Sequence, residues 1–345
     1  MLTELQNQDR DIRHEPLSRW LGLRWPPGFL FPGSPCCAAS PGLYTLGGQD
    51  ALGNLQATCD KTQTTPETTS ALASGNLSTV RYTMGSIANP AVAGYTLGGA
   101  SSLSTVVAVA DKMPFATETT AAQASAGISA ARQELAGLSE RQTKGYVAGG
   151  YDGTSKVTTA DKLAFSTDST AAQTSANLSQ ARAGLSAMNG DATKGYWGGG
   201  FTSDGRSQVA TADKVIFSSD TTVAQASANL STARYFSMAG SDGLSKGYWV
   251  GGQANGTPSN VVEKMTVSSD TTSAIAASFP KSLGASGSDG NKLLCMGGDD
   301  STLNVTAGGE KMTFATDVAS AVGTAGAGNL SSARAAPAGF TTVAL

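Results

Sequence analysis

The sequence predicts an all-β fold: a closed ring of six four-stranded antiparallel blades, preceded by an extended N-terminal arm. Three observations predict it. The first is a repeated segment, Gly-Tyr-x-x-Gly-Gly, clearest at 195–200 and present again at 94–99, 145–150 and 247–252, with weakened copies at 43–48 and 293–298. Its second position is Tyr44, Tyr95, Tyr146, Tyr196, Tyr248 and then Leu294, so the steps are 51, 51, 50, 52 and 46 residues. A period of this length marks a repeat architecture, in which no unit can bury its apolar face alone. The second observation is the internal pattern of each copy, and the third is the way the two ends of the chain complement each other.

Residues 182–234 show the pattern. A run of small and apolar residues at 183–190 precedes an Asp191-Ala192-Thr193 turn and the Tyr196 segment. A polar loop at 202–207 leads to an alternating stretch at 208–217, a Ser-Ser-Asp-Thr-Thr turn, and a fourth run at 223–227. Asn229-Leu230-Ser231 closes the unit before Arg234. Four short runs separated by Gly, Asp and Ser turns make one antiparallel blade. Asp242-Gly243 and Asp289-Gly290 mark the first hairpin in later copies, as turn chemistry rather than calcium loops.

In the third run Val209, Thr211, Asp213, Val215 and Phe217 share a face, because alternate strand residues point the same way. An acid recurs there as Asp60, Asp111, Asp161, Asp213, Glu263 and Glu310, each followed by a lysine that points the other way. A cation recurs as Arg81, Arg132, Arg182, Arg234 and Arg334, with Lys281 in the fifth copy. A carboxylate on a buried face needs a partner. Each acid is therefore expected to bond a repeat cation or strand-end amides and to hold neighbouring blades in register. Catalytic acids are not normally duplicated six times, so the expected role is structural.

The ends of the chain supply the closure. The sixth copy finishes near Leu330, yet 334–340 reads as the first strand of another blade, while the first copy begins at Leu43-Tyr44 with no strand before it. The C-terminal segment should provide that missing inner strand, since closing the ring removes sheet edges. Residues 41–345 then form the ring, and 1–40 stand outside it as an arm. The arm carries Trp20, Trp25, Phe29 and Phe31 with Arg19 and Arg24, and Pro26-Pro27 stops any helix. An aromatic arm lies either on its own domain or on a partner. Trp and Arg are the usual interface anchors, which favours a partner.

Composition narrows the function. A formal net charge of -3 offers no electrostatic case for nucleic acid or an anionic membrane surface. Residues 1–16 are polar with no apolar signal core, and no run approaches the length of a membrane span, so the chain is expected to be made and kept in a cytoplasm or exported by another route. His14 is the single histidine, which leaves no multi-histidine metal site and no Ser-His-Asp triad within the repeats. No cofactor is expected and no catalytic residue is assigned. Of four cysteines, Cys59 and Cys295 read as buried thiols, whereas Cys36 and Cys37 beside the proline-rich arm could cross-link to a neighbouring subunit.

The repeat resembles that of the kelch-like β-propellers, over 43–345, in its Tyr-x-x-Gly-Gly segment, its alternating third strand with an acid, and the Arg that opens the next unit. It departs from them in lacking the fourth-strand Trp, where Ala, Ser, Thr and Gln stand, as at 170–175. The wording Ala-Asp-Lys-x-x-Phe, Ser-Thr-Asp-Ser-Thr and Asn-Leu-Ser-x-Ala-Arg looks like the Ser/Thr/Ala-rich propellers of tailed bacteriophage virions. That resemblance implies a structural component of a neck, collar, tail or fibre, present in multiple copies and joined to other virion proteins through residues 1–40. The competing expectation is a carbohydrate- or receptor-binding head, for which Tyr151, Trp197, Phe201, Tyr235, Phe236 and Trp249 are the candidate stacking residues and a host surface glycan the partner.

Overall fold

The computed structural model describes residues 41–202, 207–324 and 326–342. They form six four-stranded antiparallel sheets arranged as the blades of a β-propeller. Blade 4 is representative. Its strands run Ser186–Asn189, Lys194–Gly198, Ala212–Ile216 and Thr221–Ala224, from the axis outwards. The fourth strand is shorter than the run at 223–227 suggests. It ends at Ala224, and Ala226–Ala228 is a single 3-10 turn that carries the chain into Asn229. The Oδ1 of Asn229 accepts the Ala212 N–H at 2.8 Å, tying the exit of the fourth strand to the start of the third. Asn177 does the same for Ala160 and Asn76 for Cys59.

Blade 1 is built from both ends of the chain. Its innermost strand, Ala338–Thr341, pairs antiparallel with Gly42–Leu46, placing Phe340 opposite Tyr44. The innermost strands then touch in a closed circuit, with Gly85–Asn89 contacting both Ala136–Ser139 and Ala338–Thr341.

The glycine doublets end the second strands. Gly199 and Gly200 have φ of +68° and +105°, and a Cβ on Gly199 would lie 2.5 Å from the Arg234 carbonyl oxygen. Only glycine is comfortable in that conformation and that space. The Gly200 N–H donates to the same carbonyl at 2.9 Å, and Gly48, Gly99, Gly150, Gly252 and Gly298 make the equivalent bond in the other blades. Each doublet thus fastens its blade to the segment that opens the next.

The apolar core lies between blades. Tyr146, Trp197, Val215 and Phe217 share one cluster that spans blades 3 and 4, and Tyr146 stacks on Phe217 with centroids 5.9 Å apart. Tyr44 on Phe115, Tyr95 on Phe165 and Tyr248 on Phe314 repeat the stack across three other boundaries. A blade alone would leave these faces in water.

Candidate functional site

Strand alternation gives each blade two polar faces, and the two engage different neighbours. On one, Arg182 Nη1 lies 2.8 Å from Asp213 Oδ2, Arg132 Nη2 2.6 Å from Asp161 Oδ2, Arg234 Nη2 3.1 Å from Glu263 Oε2 and Arg334 Nη2 2.7 Å from Asp60 Oδ2. Arg81 pairs with Asp111 in the same way. None of these ten side chains is more than 1% exposed. The other carboxylate oxygen accepts the N–H of a serine that closes the preceding copy, from Ser129 to Asp161 at 3.1 Å, Ser179 to Asp213 at 3.3 Å and Ser331 to Asp60 at 3.2 Å. Asp60, Asp161, Asp213 and Glu263 therefore bond both the cation and the strand-end amide of the segment linking two blades, whereas Asp111 meets Arg81 through Oδ2 and its buried Oδ1 has no hydrogen-bond partner among the described residues.

The sixth copy differs. Lys281 reaches the Gly297 carbonyl at 3.2 Å, and no ion pair joins it to Glu310 among the described residues. Lysine is the shorter, unforked cation, and it stops at the carbonyl. Burial pulls the Lys281 ammonium down and pushes the Glu310 carboxyl up, each shift opposed by the other's charge. Nearby, burial and the Asp300 charge raise the Asp299 carboxyl to about 6.

The second face holds a set of acids that the repeat pattern suggests only as turn residues. Glu67, Glu118, Asp168, Asp220, Asp270 and Asp317 sit at the turn between third and fourth strands, all with φ between +51° and +63°. Each accepts the lysine that follows the strand acid of the preceding blade. Lys214 Nζ lies 2.6 Å from Asp270 Oδ2, Lys112 2.6 Å from Asp168 and Lys311 2.6 Å from Glu67. Lys194 joins Asp270 at 2.7 Å, and the Tyr196 hydroxyl donates to it as well. Burial alone would raise the Asp270 carboxyl, but the bonds from Lys194, Lys214 and Tyr196 outweigh it and bring it down to about 2. Burial, reinforced by the Asp270 bond, pushes the Tyr196 phenol far up. The signal in the sequence was the retention of an acid at this turn in all six copies.

The axis is finished by a ring of six backbone hydrogen bonds. Thr83, Glu134, Gly184, Phe236, Leu283 and Ala336 stand two residues after the repeat cation, all with φ between +52° and +64°. Each donates its N–H to the carbonyl of its counterpart in the preceding blade, from Thr83 to Ala336 at 3.0 Å round to Ala336 to Leu283 at 2.7 Å. Behind this ring the channel is lined by small residues, Ser86, Gly137, Ala187, Ala239, Ser286 and Gly339.

The repeat tyrosines Tyr44, Tyr95, Tyr146, Tyr196 and Tyr248 are at most 1% exposed. Trp197 and Trp249 are fully buried and offer no ring face to a sugar, and Phe201 and Tyr235 are 3% exposed. Only Tyr151 and Phe236 of the candidate stacking residues keep partial exposure, with Lys156 Nζ 4.7 Å from the Tyr151 ring centroid. The two tryptophans are withdrawn from that role because their positions on the second strand face the neighbouring blade. Cys59 and Cys295 are buried free thiols, both pushed up by burial. The arm residues Arg19, Trp20, Arg24, Trp25, Phe29 and Phe31, and the paired Cys36 and Cys37, lie outside the described residues.

Fold and contacts together define a six-bladed β-propeller whose repeated polar residues are committed to fastening one blade to the next. No protein-family model matches the chain, and no curated protein matches it in sequence.

Proposed function

We propose that the protein is a non-enzymatic structural or decoration component of a tailed bacteriophage virion, a rigid propeller anchored to neighbouring virion proteins by residues 1–40. The observation that carries the reading is the wording of the repeat, which resembles the kelch-like, Ser/Thr/Ala-rich propellers of such particles. Two features support it. The strand acids in five blades, and the turn acids in all six, are spent on ion pairs between secondary-structure elements of the ring. The unrepeated arm concentrates Trp20, Trp25, Phe29 and Phe31 beside Arg19 and Arg24, the residue types that anchor interfaces. Cys36 and Cys37 would add a covalent link to the adjoining subunit.

Particles assembled with a chain lacking residues 1–40 test the proposal. The truncated ring should fold and be left out of the particle, and normal incorporation would defeat the anchoring role. A receptor- or glycan-binding head is the second reading, resting on Tyr151 and Phe236, the two candidate aromatics with accessible surface. A glycan array probed with the full chain and with Phe236→Ala separates the two readings, since only a head loses binding on that change.

A further inference from the structure

We infer that the mouth of the axial channel on the hairpin side is a binding site for a small carboxylate-bearing, polyhydroxylated ligand, with Arg141 as its anchor. The inference goes beyond the virion reading and does not rest on it.

Arg141 breaks the pattern of its own repeat. It occupies the first hairpin of blade 3 with φ of +84°, a conformation that the corresponding residues of blades 5 and 6, Gly243 and Gly290, reach at +75° and +86° as glycines. A long side chain is carried here at a position that favours none, and such an outlier is a reason to look for function. The side chain crosses to blade 5, where a Cβ on Gly243 would lie 1.5 Å from Arg141 Nη2, so the missing Cβ of that glycine is what gives the guanidinium its place. Among the described residues no direct hydrogen bond or contact ion pair holds it, although the charges of Asp242 and Asp191 act on it. Its two acidic neighbours are held by their own turns. Asp242 accepts the N–H groups of Leu244, Ser245 and Lys246 and the Ser245 hydroxyl, and Asp191 accepts the N–H and hydroxyl of Thr193.

The guanidinium borders a cavity of about 140 Å³ along the channel. A fork of five N–H donors matches a planar carboxylate bidentately. Ser139, Asn189, Ser241 and Ser288 line the same space. Asn189 Oδ1 is taken by the Ser139 N–H at 2.9 Å, which turns its amide N–H groups to other acceptors, and Ser288 Oγ accepts the Ser241 N–H at 3.1 Å. Hydroxyls of a ligand meet both donors and acceptors there. Asp242 also borders the cavity, so a ligand with a second negative charge is disfavoured and a monoanion preferred.

Calorimetric titration of the full chain with galacturonate, galactose and inorganic phosphate tests the site. Galacturonate should bind saturably, with galactose and phosphate each weaker by about tenfold or more, the loss expected for a missing charge-assisted bond. Arg141→Gly removes the guanidinium while suiting the left-handed backbone. It should weaken galacturonate by a similar factor and leave the melting temperature unchanged or higher. Absence of saturable binding to the native chain, undiminished binding to Arg141→Gly, or phosphate binding more tightly than galacturonate would each overturn the inference. So would a lowered melting temperature in Arg141→Gly together with no anion binding to the native chain, which would make Arg141 a brace across the mouth.

Discussion

Removing the carboxylate of Asp213 would leave Arg182 charged, fully buried and without its partner. Breaking such a pair from one side typically costs about 3–5 kcal/mol, whereas replacing both members by apolar groups of similar size is often close to neutral. Asp213→Ala should therefore lower the urea midpoint strongly, and Asp213→Leu with Arg182→Met should recover most of the loss. If Asp213→Ala unfolds at the midpoint of the native chain, the pair holds nothing. Asp299 runs the opposite way. Its folded carboxyl titrates at about 6, above the ordinary value of 3.8, so charging it penalises the native state. The penalty is complete above pH 6 and fades as pH falls towards 4. Asp299→Asn removes it and should stabilise by on the order of 2 kcal/mol at pH 7. Denaturation at pH 4 should show almost no gain, and an equal gain at both pH values would assign the effect to something other than titration.

The turn between third and fourth strands is the element through which one blade grips the last. Glu67 and Asp270 both titrate at about 2 in the folded protein, below their ordinary values, because the lysine bonds favour the charged form. Groups depressed in this way contribute stability that is complete above their unfolded values and lost as pH falls through the folded ones. Stability from these turns should stay level from pH 7 to about 5 and decline between about 4.5 and 2. Asp270→Asn should shift the onset of acid unfolding, followed by circular dichroism, to higher pH. An unmoved onset would show that the turn acids do not govern it. The two polar faces also differ in how plainly they could be read. The strand acids share the parity of Val215 and Phe217, so alternation alone marks Asp213 as buried and in need of a cation. Asp270 has no such mark. Its partners Tyr196 and Lys214 lie 74 and 56 residues away in the preceding blade, and only the ring brings them to the turn. Arg141 was missed for a related reason, since its reach to Gly243 spans the channel and follows no repeat spacing. The 3-10 turns after the fourth strands of blades 1 to 4 escaped because the small residues there carry no periodicity.

At the scale of the molecule, everything depends on the seam in blade 1. The two ends of the chain meet there through four kinds of contact. Residues 338–341 pair with 43–46, and Arg334 reaches Asp60 at 2.7 Å. Ala336 completes the axial hydrogen-bond ring in both directions, and Phe340 packs with Tyr44 and Phe115. Deleting 334–345 removes all four at once. Gly42–Leu46 then becomes an unpaired inner edge, Asp60 a buried carboxylate without its arginine, and the contact of Gly85–Asn89 with the last strand is lost. An open edge of this kind invites pairing with another chain. Deleting 1–35 touches none of these contacts. The C-terminal truncation should therefore melt far below the full chain and associate in solution, while the N-terminal truncation melts with it. Scanning calorimetry with light scattering compares them directly, and equal stability of the two truncations would mean that the ring does not need its seam. A synthetic peptide of residues 334–345 added to the C-terminal truncation should restore part of the lost melting temperature. That result would follow because the vacated position demands one strand register, set by Phe340 opposite Tyr44, and one cation at Asp60.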